Sequence, residues 1–485
     1  MAQADGNGRR AVFDIGSNSV RFVAYDGPPR APMPIYNEKW PISLGQMVRD
    51  HGAIDEPSMA HLLAGVSRFV KLAGYMEISD IKAVATAAIR EARNGDEFIA
   101  GAARLGLTIE QLDGAQEAQA AGYGVLCNYG DVDGYVADLG GGSLEIARIT
   151  SGKVTPLASL PLGTAKLLGR DEDGWRAAAT AIRDALAKHK QQGLIRAGRN
   201  LYMVGGTWRA AAHLHQHMTQ YPIRILSHYE IAPGTLLQLQ AGCEDEELKA
   251  SLQTVSAQRS QLMPVAARML GVLNDILEPS RFISSALGIR EGLLFGQLSS
   301  EERADDPLLS GARFRGSRMG RRNFNGDRLF HWMQGLFAGY DEGDDRRLRH
   351  AACLLADCAW NIHPDYRSAH ALQTGIEGNW LGVDGAGRAL IARALWSAYG
   401  DSKNDRALLS KLADRRALRR ADKWGLAIRL AMRIDGGTGG ILERSTIAIH
   451  GDELLLTLPP DTPGDTIIHR LEKLASGTGL TARLK

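Results

Sequence analysis

The sequence predicts an α/β protein built from more than one domain. At 485 residues the chain is too long for a single hydrophobic core, and about two to four domains are expected. Two copies of a strand–turn–strand pattern lie within residues 11–149, where β-forming residues flank a turn of small residues. Between residues 323 and 399, apolar residues instead recur at helical spacing, as in RLRHAACLLADCAWNIH.

The repeated pattern is the most informative element. AVFDIGSNSVRFVAY covers residues 11–25, and YVADLGGGSLEIARI covers residues 135–149. Aligning Asp14 with Asp138 also aligns the first glycine and the last serine of the two turns. Such a turn exposes backbone N–H groups and small hydroxyls in a concave cluster, which suits an anion. A purely structural hairpin is the alternative, but it would not need an acid at the same place in both copies.

The acids of the second copy favour phosphate together with a cation. Asp138 ends the first strand and Glu145 lies early in the return strand, so the hairpin can bring both carboxylates to one mouth. Carboxylates repel a phosphate unless a divalent cation lies between them, and Mg²⁺ prefers one or two carboxylates plus phosphate oxygens. The three glycines between these acids would let the backbone approach the phosphate closely.

Composition narrows the class of protein. With 44% hydrophobic and 23% charged residues, the chain has the composition of a soluble globular protein. A net charge of +2 gives no indication of bulk nucleic-acid binding. The four cysteines form no CxxC pair, which favours reduced thiols, and no signal peptide or membrane span is expected. We therefore expect a cytoplasmic protein with neither nucleic-acid nor membrane partners.

Several motifs together resemble one family. FDIGSNSVRF and DLGGGSLEI resemble the two phosphate hairpins of the exopolyphosphatase and guanosine-pentaphosphate phosphatase family, within the actin, sugar kinase and Hsp70-like superfamily. Three further stretches resemble the family and occur in its order: VATAAIREA, LDGAQEAQ and SSALGIREG. The resemblance covers roughly residues 10–295. It implies two actin-like (ribonuclease H-like) lobes around a phosphate cleft, then an α-helical HD-like domain and a small C-terminal α+β module.

The resemblance and the local composition together give domain boundaries. Lobe I is expected over residues 1–134 and lobe II over 135–310. The HD-like domain is expected over 311–400, after a basic linker that reads GARFRGSRMGRRNFNG, and the C-terminal module over 401–485. The adjacent His-Asp pair of metal-dependent HD hydrolases reads Ala-Asp at residues 356–357, so a second hydrolase site is not expected.

The resemblance also assigns roles to individual residues. Glu117 would be the general base, and Arg90 and Arg21 would hold phosphate oxygens. The family usually has two adjacent glutamates here, whereas this chain has Gln116 before Glu117, and Lys166 stands where the family more often has arginine. The phosphate cradle would consist of Ser17, Asn18, Ser19, Arg21, Gly140, Gly141, Gly142 and Ser143. Mg²⁺, or Mn²⁺, would be bound by Asp138, Glu145 and Asp14.

The implied activity is release of orthophosphate from the end of inorganic polyphosphate. Guanosine pentaphosphate hydrolysis at the same site is a sibling activity, and a homodimer is expected. A kinase or Hsp70-like ATPase is an alternative of another class, although Trp208 and Arg209 are bulky for contact with adenine. A non-catalytic polyphosphate or alarmone sensor would be expected to lose Glu117 or the glycine turn, and both are intact.

A run of arginines in the linker has two interpretations. It consists of Arg313, Arg315, Arg318, Arg321 and Arg322. It is either a solvated basic linker or a track that holds the tail of a long polyanion, with Arg315, Arg318 and Arg321 as the binding residues. A track would make the affinity for long chains fall steeply with salt.

Overall fold

The computed structural model describes residues 8–252, 255–400 and 406–485. Residues 401–405, with which the predicted C-terminal module begins, and the first seven residues of predicted lobe I lie outside the described residues. The chain divides into an N-terminal unit, Met1–Asp305, and a C-terminal unit, Asp306–Lys485. None of the helices in the described ranges is both long and apolar enough to cross a membrane.

The first part of the N-terminal unit is built on a five-stranded sheet. Its strands are β1 (Arg10–Ile15), β2 (Ser19–Asp26), β3 (Met33–Pro41), β4 (Asp80–Ala85) and β5 (Glu110–Gln111), in the order β3-β2-β1-β4-β5. Its helices are α1 (Leu44–His51), α2 (Glu56–Tyr75), α3 (Ala87–Glu91) and α4 (Gly95–Arg104). β1 pairs antiparallel with β2 and parallel with β4. Phe22 stacks on Phe69 of α2 with ring centroids 5.4 Å apart, which fixes this helix on the sheet.

The second part repeats this arrangement on a six-stranded sheet. Its strands are β6 (Gly134–Leu139), β7 (Leu144–Thr150), β8 (Lys153–Leu160), β9 (Asn200–Val204), β10 (Tyr229–Ile231) and β11 (Phe282–Ser284), in the order β10-β11-β9-β6-β7-β8. Like β1, β6 pairs antiparallel with the next strand and parallel with a later one. The two copies of the sequence pattern therefore occupy equivalent places in the two sheets. This confirms the actin-like α/β arrangement of two lobes.

Helices cover the second sheet and connect the two lobes. Those of the second lobe are α6 (Thr164–Leu167), α7 (Glu172–Gln191), α8 (Gly206–Met218), α9 (Leu236–Glu244), α10 (Glu246–Ala250) and α11 (Ala257–Leu277). Between and after the lobes lie α5 (Gly114–Tyr129), α12 (Ile289–Gly296) and α13 (Ser300–Ala304). α12 packs so closely on α5 that a Cβ on Gly292 would lie 1.8 Å from the Ala120 carbonyl oxygen. The Tyr25 hydroxyl donates to Glu291 Oε1 at 2.6 Å, which ties α12 to the first lobe.

The C-terminal unit combines helices with a small sheet. Its helices are α14 (Pro307–Met319), α15 (Gly326–Phe337), α16 (Asp345–Leu354), α17 (Arg367–Glu377), α18 (Gly385–Tyr399), α19 (Arg406–Ser410), α20 (Arg415–Asp435) and α21 (Asp465–Thr478). Its sheet is β12 (Thr446–His450), β13 (Glu453–Thr457) and β14 (Thr481–Leu484), in that order. α18 is buried on nearly every side, as its apolar sequence requires.

One prediction about this unit is corrected. The segment read as a basic linker, residues 311–326, is helical up to Met319 as part of α14, and the expected boundary after residue 310 falls inside that helix. Gly316 lies inside this helix at a place where the missing side chain makes room for a neighbour. A Cβ on Gly316 would lie 2.1 Å from the Leu354 carbonyl oxygen at the end of α16.

Candidate active site

The two hairpin turns face each other across the cleft between the lobes. In each turn the first glycine donates its N–H to the last serine's carbonyl at 3.0 Å, Gly16 to Ser19 and Gly140 to Ser143. A Cβ on Gly142 would lie 3.2 Å from Ser17 Oγ, and one on Gly141 would crowd the side chain of the facing turn. The glycines are thus required where the turns approach each other. Backbone N–H groups and hydroxyls from both lobes line one cleft.

Three buried carboxylates lie deep in this cleft. Asp138 and Glu145 are paired residues of the neighbouring strands β6 and β7, so their side chains lie on the same face of the sheet. They line a cavity of about 200 Å³ together with Glu117 and Asp14. Glu117 and Glu145 are each 3% exposed. The predicted general base and the predicted metal ligands are therefore brought to one place.

Burial raises the pKa of all three carboxyl groups. It raises the pKa of Glu117 to about 7, opposed by the hydrogen bond and positive charge of Arg90. It raises the pKa of Asp138 to about 6. The pKa of Glu145 rises to about 8 because of burial first and then the negative charges of Glu117 and Asp138. These carboxyl groups therefore keep their protons to a higher pH than exposed carboxyl groups do.

Glu117 is held by its helix and by Arg90. It lies in the first turn of α5, where Asp113 is the N-cap and its side chain accepts from the Gln116 N–H at 2.8 Å. The Gln116 side chain in turn accepts from the Asp113 N–H at 2.8 Å, so the residue that departs from the family pattern completes a capping box. Arg90 donates to Glu117 Oε1 at 2.9 Å and also to the Leu112 carbonyl. Both predicted catalytic residues are in direct contact.

Comparison with known proteins agrees with this geometry. The model of the Ppx/GppA phosphatase family matches residues 25–301, which is more than half of the chain. The chain belongs to this family. A second model, described as the C-terminal part of exopolyphosphatase, matches residues 323–484.

Three known proteins of this kind show how similar the chain is to individual relatives. The chain is 24% identical to guanosine-5'-triphosphate,3'-diphosphate pyrophosphatase of Aeromonas hydrophila, covering 93% of this chain and 92% of that protein. It is 28% identical to exopolyphosphatase 1 of Mycobacterium tuberculosis, over 33% of this chain and 47% of that protein. The mycobacterial exopolyphosphatases and a Streptomyces coelicolor relative are thus matched over only about half of their length. The crystal structure of the Aquifex aeolicus family member is 25% identical with a TM-score of 0.53, covering 60% of this chain and 97% of that one.

Two arginines in the cleft were missed by the sequence reasoning. Arg209, in the first turn of α8, lines the cavity and donates to the Ala286 carbonyl oxygen at 2.7 Å. Burial lowers the pKa of Arg209 to about 10. Arg290 donates to Asp14 Oδ2 at 2.9 Å. Two signals in the sequence could have found them: the glycine pair directly before α8, and the segment SSALGIREG, whose arginine was given no role.

Further basic residues line the outer part of the cleft. A second cavity, of about 240 Å³, shares the two turns and Arg209 with the first. It is also lined by Arg21, Lys39 and Arg259. Only Arg21 was predicted. The first cavity therefore combines carboxyl groups with Arg209 and Arg290, whereas the outer part of the cleft adds further basic residues.

The carboxylates suit a cation that takes few protein ligands. In the part of the chain that the structure describes, no group of three or more His, Cys, Asp or Glu side chains is arranged to hold a metal ion. Asp14, a predicted ligand, is in an ion pair with Arg290. Asp138 and Glu145 are a desolvated, mutually repelling pair, and Ser159 Oγ donates to Glu145 Oε1 at 3.1 Å. One or two carboxylates completed by phosphate oxygens are the usual protein site of Mg²⁺, so this pair fits the ion.

The predicted arginine track lies on and after α14 in the C-terminal unit. Arg321 donates to Asp357, a carboxylate that is 1% exposed, at 2.8 Å. Arg313 makes a bidentate ion pair with Asp327. Arg318 lies over the Phe314 ring at 4.1 Å, and Arg315 is exposed. At least two of these side chains therefore have structural partners.

Proposed function

We propose that the protein is a phosphohydrolase that removes the terminal phosphoryl group from linear chains of phosphoanhydrides. The observation that carries this proposal is Glu117, a buried carboxylate with a pKa of about 7 that faces both phosphate turns in one cavity. A general base is most effective when its pKa lies near the working pH. Inorganic polyphosphate is the proposed substrate.

Guanosine pentaphosphate is a second candidate substrate. The Aeromonas hydrophila relative, which acts on it by name, is matched over 92% of its length. Its triphosphate arm would present the same terminal phosphoanhydride to Glu117, so both substrates require the same chemistry.

The chain's own residues account for the reaction. A water molecule beside Glu117 would give its proton to the carboxylate while its oxygen attacks the terminal phosphorus. The bond from that phosphorus to the bridging oxygen breaks, and the shortened chain leaves with the bridging oxygen. Arg90 and Arg209, with the N–H groups of the turn at residues 140–143, would stabilise the charge on the transferred group. Glu117 would then release the proton to solvent.

We propose Mg²⁺, with Mn²⁺ as a substitute, as the cofactor. Asp138 and Glu145 would hold it. When bound, it supplies charge neutralisation between the carboxylates and the phosphate. Removing the ion should leave these two carboxylates and the substrate in mutual repulsion.

Several finer assignments stay predictions. They are the HD-like character of residues 311–400, the separate C-terminal module over residues 401–485, a homodimer and a cytoplasmic location. Arg315 and Arg318 lie three residues apart on α14 and are both exposed, so they could still bind a polyanion tail. Arg321 is left out of that track because Asp357 is its partner.

The proposal is tested with three substrates offered separately. The full chain is mixed with Mg²⁺ and long polyphosphate, guanosine pentaphosphate or ATP, and free orthophosphate is measured. Release from either of the first two, and little from ATP, is expected. If phosphate moves from ATP to an acceptor and no orthophosphate is released from polyphosphate, the protein is a kinase. If long polyphosphate binds and no substrate is hydrolysed, it is a sensor.

A further inference from the structure

A third cavity, of about 310 Å³, lies in the second lobe along the C-terminal half of α8. Among the described residues, it shares none of its lining with the two cavities of the cleft. Its lining is polar and includes two imidazoles, two side-chain amides and a guanidinium. These groups belong to His213, Gln216, His217, Gln220 and Arg224.

The two histidines are one helical turn apart. His213 and His217 are four residues apart on α8, so their side chains lie on one face of the helix with Cβ atoms about 5–6 Å apart. Both line the same cavity. Two imidazoles at this spacing are the arrangement by which a helix presents two nitrogen ligands to one metal ion.

The hydrogen bonds around His213 leave one of its ring nitrogens with a lone pair. Gln216 is 4% exposed, and its Nε2 donates to the Ile225 carbonyl oxygen at 2.7 Å, which orients the amide. Its Oε1 therefore faces His213 Nδ1, at 3.1 Å, and accepts a hydrogen bond there. In the neutral imidazole the proton is then on Nδ1 and the lone pair on Nε2. Histidines that bind a metal ion usually donate their other N–H group in this way.

His217 has a corresponding arrangement. Ser251 Oγ donates its single proton to the Leu248 carbonyl oxygen at 2.7 Å. His217 Nε2 lies 3.3 Å from the same hydroxyl oxygen, so in this pair the imidazole is the donor. The proton is then on Nε2, and Nδ1 carries the lone pair. Each histidine therefore has one nitrogen held by the protein and one that can bind a ligand.

The surroundings of His213 favour its neutral form. Burial lowers the pKa of His213, and the positive charges of Arg224 and Arg209 lower it further, against the effect of the hydrogen bond with Gln216. Neutral imidazole is the form that binds metal ions. No third His, Cys, Asp or Glu side chain within the described ranges joins the pair. Because Arg224 lines the same cavity, its charge favours an anion in the coordination positions that the histidines leave open.

We propose that His213 and His217 bind a transition-metal ion of the Zn²⁺ type through one nitrogen each, with water or a small anion beside Arg224 as the remaining ligands. Imidazole suits Zn²⁺, Ni²⁺ and Cu²⁺, whereas Mg²⁺ prefers oxygen ligands. The site therefore differs in chemistry from the carboxylates of the cleft, and it does not depend on the proposed function. The ion would stabilise the helix whose first turn holds Arg209.

The test is a titration of the metal-free full chain with Zn²⁺ in the presence of excess Mg²⁺, which competes for the carboxylates of the cleft. The variants are His213→Asn and His217→Gln. Asparagine keeps a donor in the place of Nδ1–H and glutamine in the place of Nε2–H, so each variant loses only the nitrogen ligand. The affinity for Zn²⁺ should fall at least about 10-fold in each, since even the loss of a hydrogen bond that supports a metal ligand costs that much.

Three control variants locate the ion. His363→Gln and His469→Gln remove histidines from exposed positions in the C-terminal unit and should leave the affinity for Zn²⁺ unchanged. Asp138→Asn removes a carboxylate of the cleft and should also leave it unchanged. Equal affinity in the His213 and His217 variants and in the controls would mean adventitious binding and would overturn the proposal. Loss of Zn²⁺ binding in Asp138→Asn alone would also overturn it, because the ion would then lie in the cleft.

A measurement on the wild type needs no variant to fold. The protein is treated with diethyl pyrocarbonate, with and without saturating Zn²⁺, and the modified histidines are identified by peptide mass spectrometry. His217 is exposed, so it should react without Zn²⁺ and be protected with it, whereas His363 should react in both cases. If His217 reacts equally with and without Zn²⁺, the proposed metal site is wrong.

Discussion

Replacing Glu145 by glutamine should make the metal-free protein more stable. Glu145 is 3% exposed and faces the carboxylates of Glu117 and Asp138, which raise its pKa to about 8 together with burial. In the unfolded chain the same carboxyl group ionises near its ordinary value of 4.5. At pH 7 the folded state must therefore either keep a proton that the unfolded state releases or bury a charge.

The size of the effect follows from this difference in pKa. Each pKa unit corresponds to about 1.4 kcal/mol, so the penalty at pH 7 is at most about 3 kcal/mol. The repulsion involves Glu117 and Asp138 as well as Glu145, so the substitution of Glu145 removes only part of this penalty. We therefore expect Glu145→Gln to add about 1–3 kcal/mol to the free energy of unfolding. Glutamine can still accept the hydrogen bond from Ser159. For the N-terminal unit, Met1–Asp305, the change corresponds to a rise in melting temperature of roughly 2–5 °C.

The assay is thermal unfolding in excess chelator at pH 5 and pH 7.5. The stabilisation should be large at pH 7.5 and small at pH 5, where the carboxyl group is protonated in the folded state and partly protonated in the unfolded chain. Glu97→Gln, at an exposed position in α4, is the control and should change little at either pH. If Glu145→Gln melts below the wild type at pH 7.5, Glu145 stabilises the fold and the account of the carboxylate cluster is wrong.

Three further predictions test the same electrostatics. The metal-free wild type should lose stability as the pH rises from about 4.5 to 8, because the raised pKa values of Glu117, Asp138 and Glu145 make the folded state bind more protons; a melting temperature that rises across this range would contradict it. Asp138→Asn should increase the Mg²⁺ concentration required for half-maximal phosphate release, and an unchanged requirement would exclude Asp138 as a ligand. Arg321→Met should lower the free energy of unfolding by roughly 3 kcal/mol, because the buried Asp357 carboxylate loses its charged partner and keeps only the hydrogen bond from the backbone N–H of residue 321; chemical denaturation that shows no loss would contradict it.

Local sequence patterns were sufficient to predict the two hairpin turns of the candidate site. The two hairpins were predicted from β-forming residues on either side of a turn of small residues, and both turns have the same closing hydrogen bond. Asp138 and Glu145 were expected at one mouth because they lie on either side of the turn, and they are paired residues in the structure. Because a hairpin is a local structure, its residues contain most of the information that forms it.

Contacts between distant parts of the chain could not be predicted in this way. Lys39 and Arg259 are ordinary basic residues in sequence, and only the folding of two lobes brings them to one cleft. The glycine- and arginine-rich segment indicated a linker because nothing local shows that Gly316 packs on Leu354. The partner of Arg321 lies 36 residues away, at Asp357, on another segment.

The most direct test of the account is the release of orthophosphate from long polyphosphate by the wild type and by Glu117→Gln. Both proteins are assayed at saturating Mg²⁺ and neutral pH, with binding of polyphosphate measured on the same preparations and Glu97→Gln as the control. We expect the glutamine variant to bind polyphosphate at least as well as the wild type and to turn it over more slowly by a factor of roughly 100 or more. Near-normal turnover in Glu117→Gln would contradict the account, because the base would then lie elsewhere.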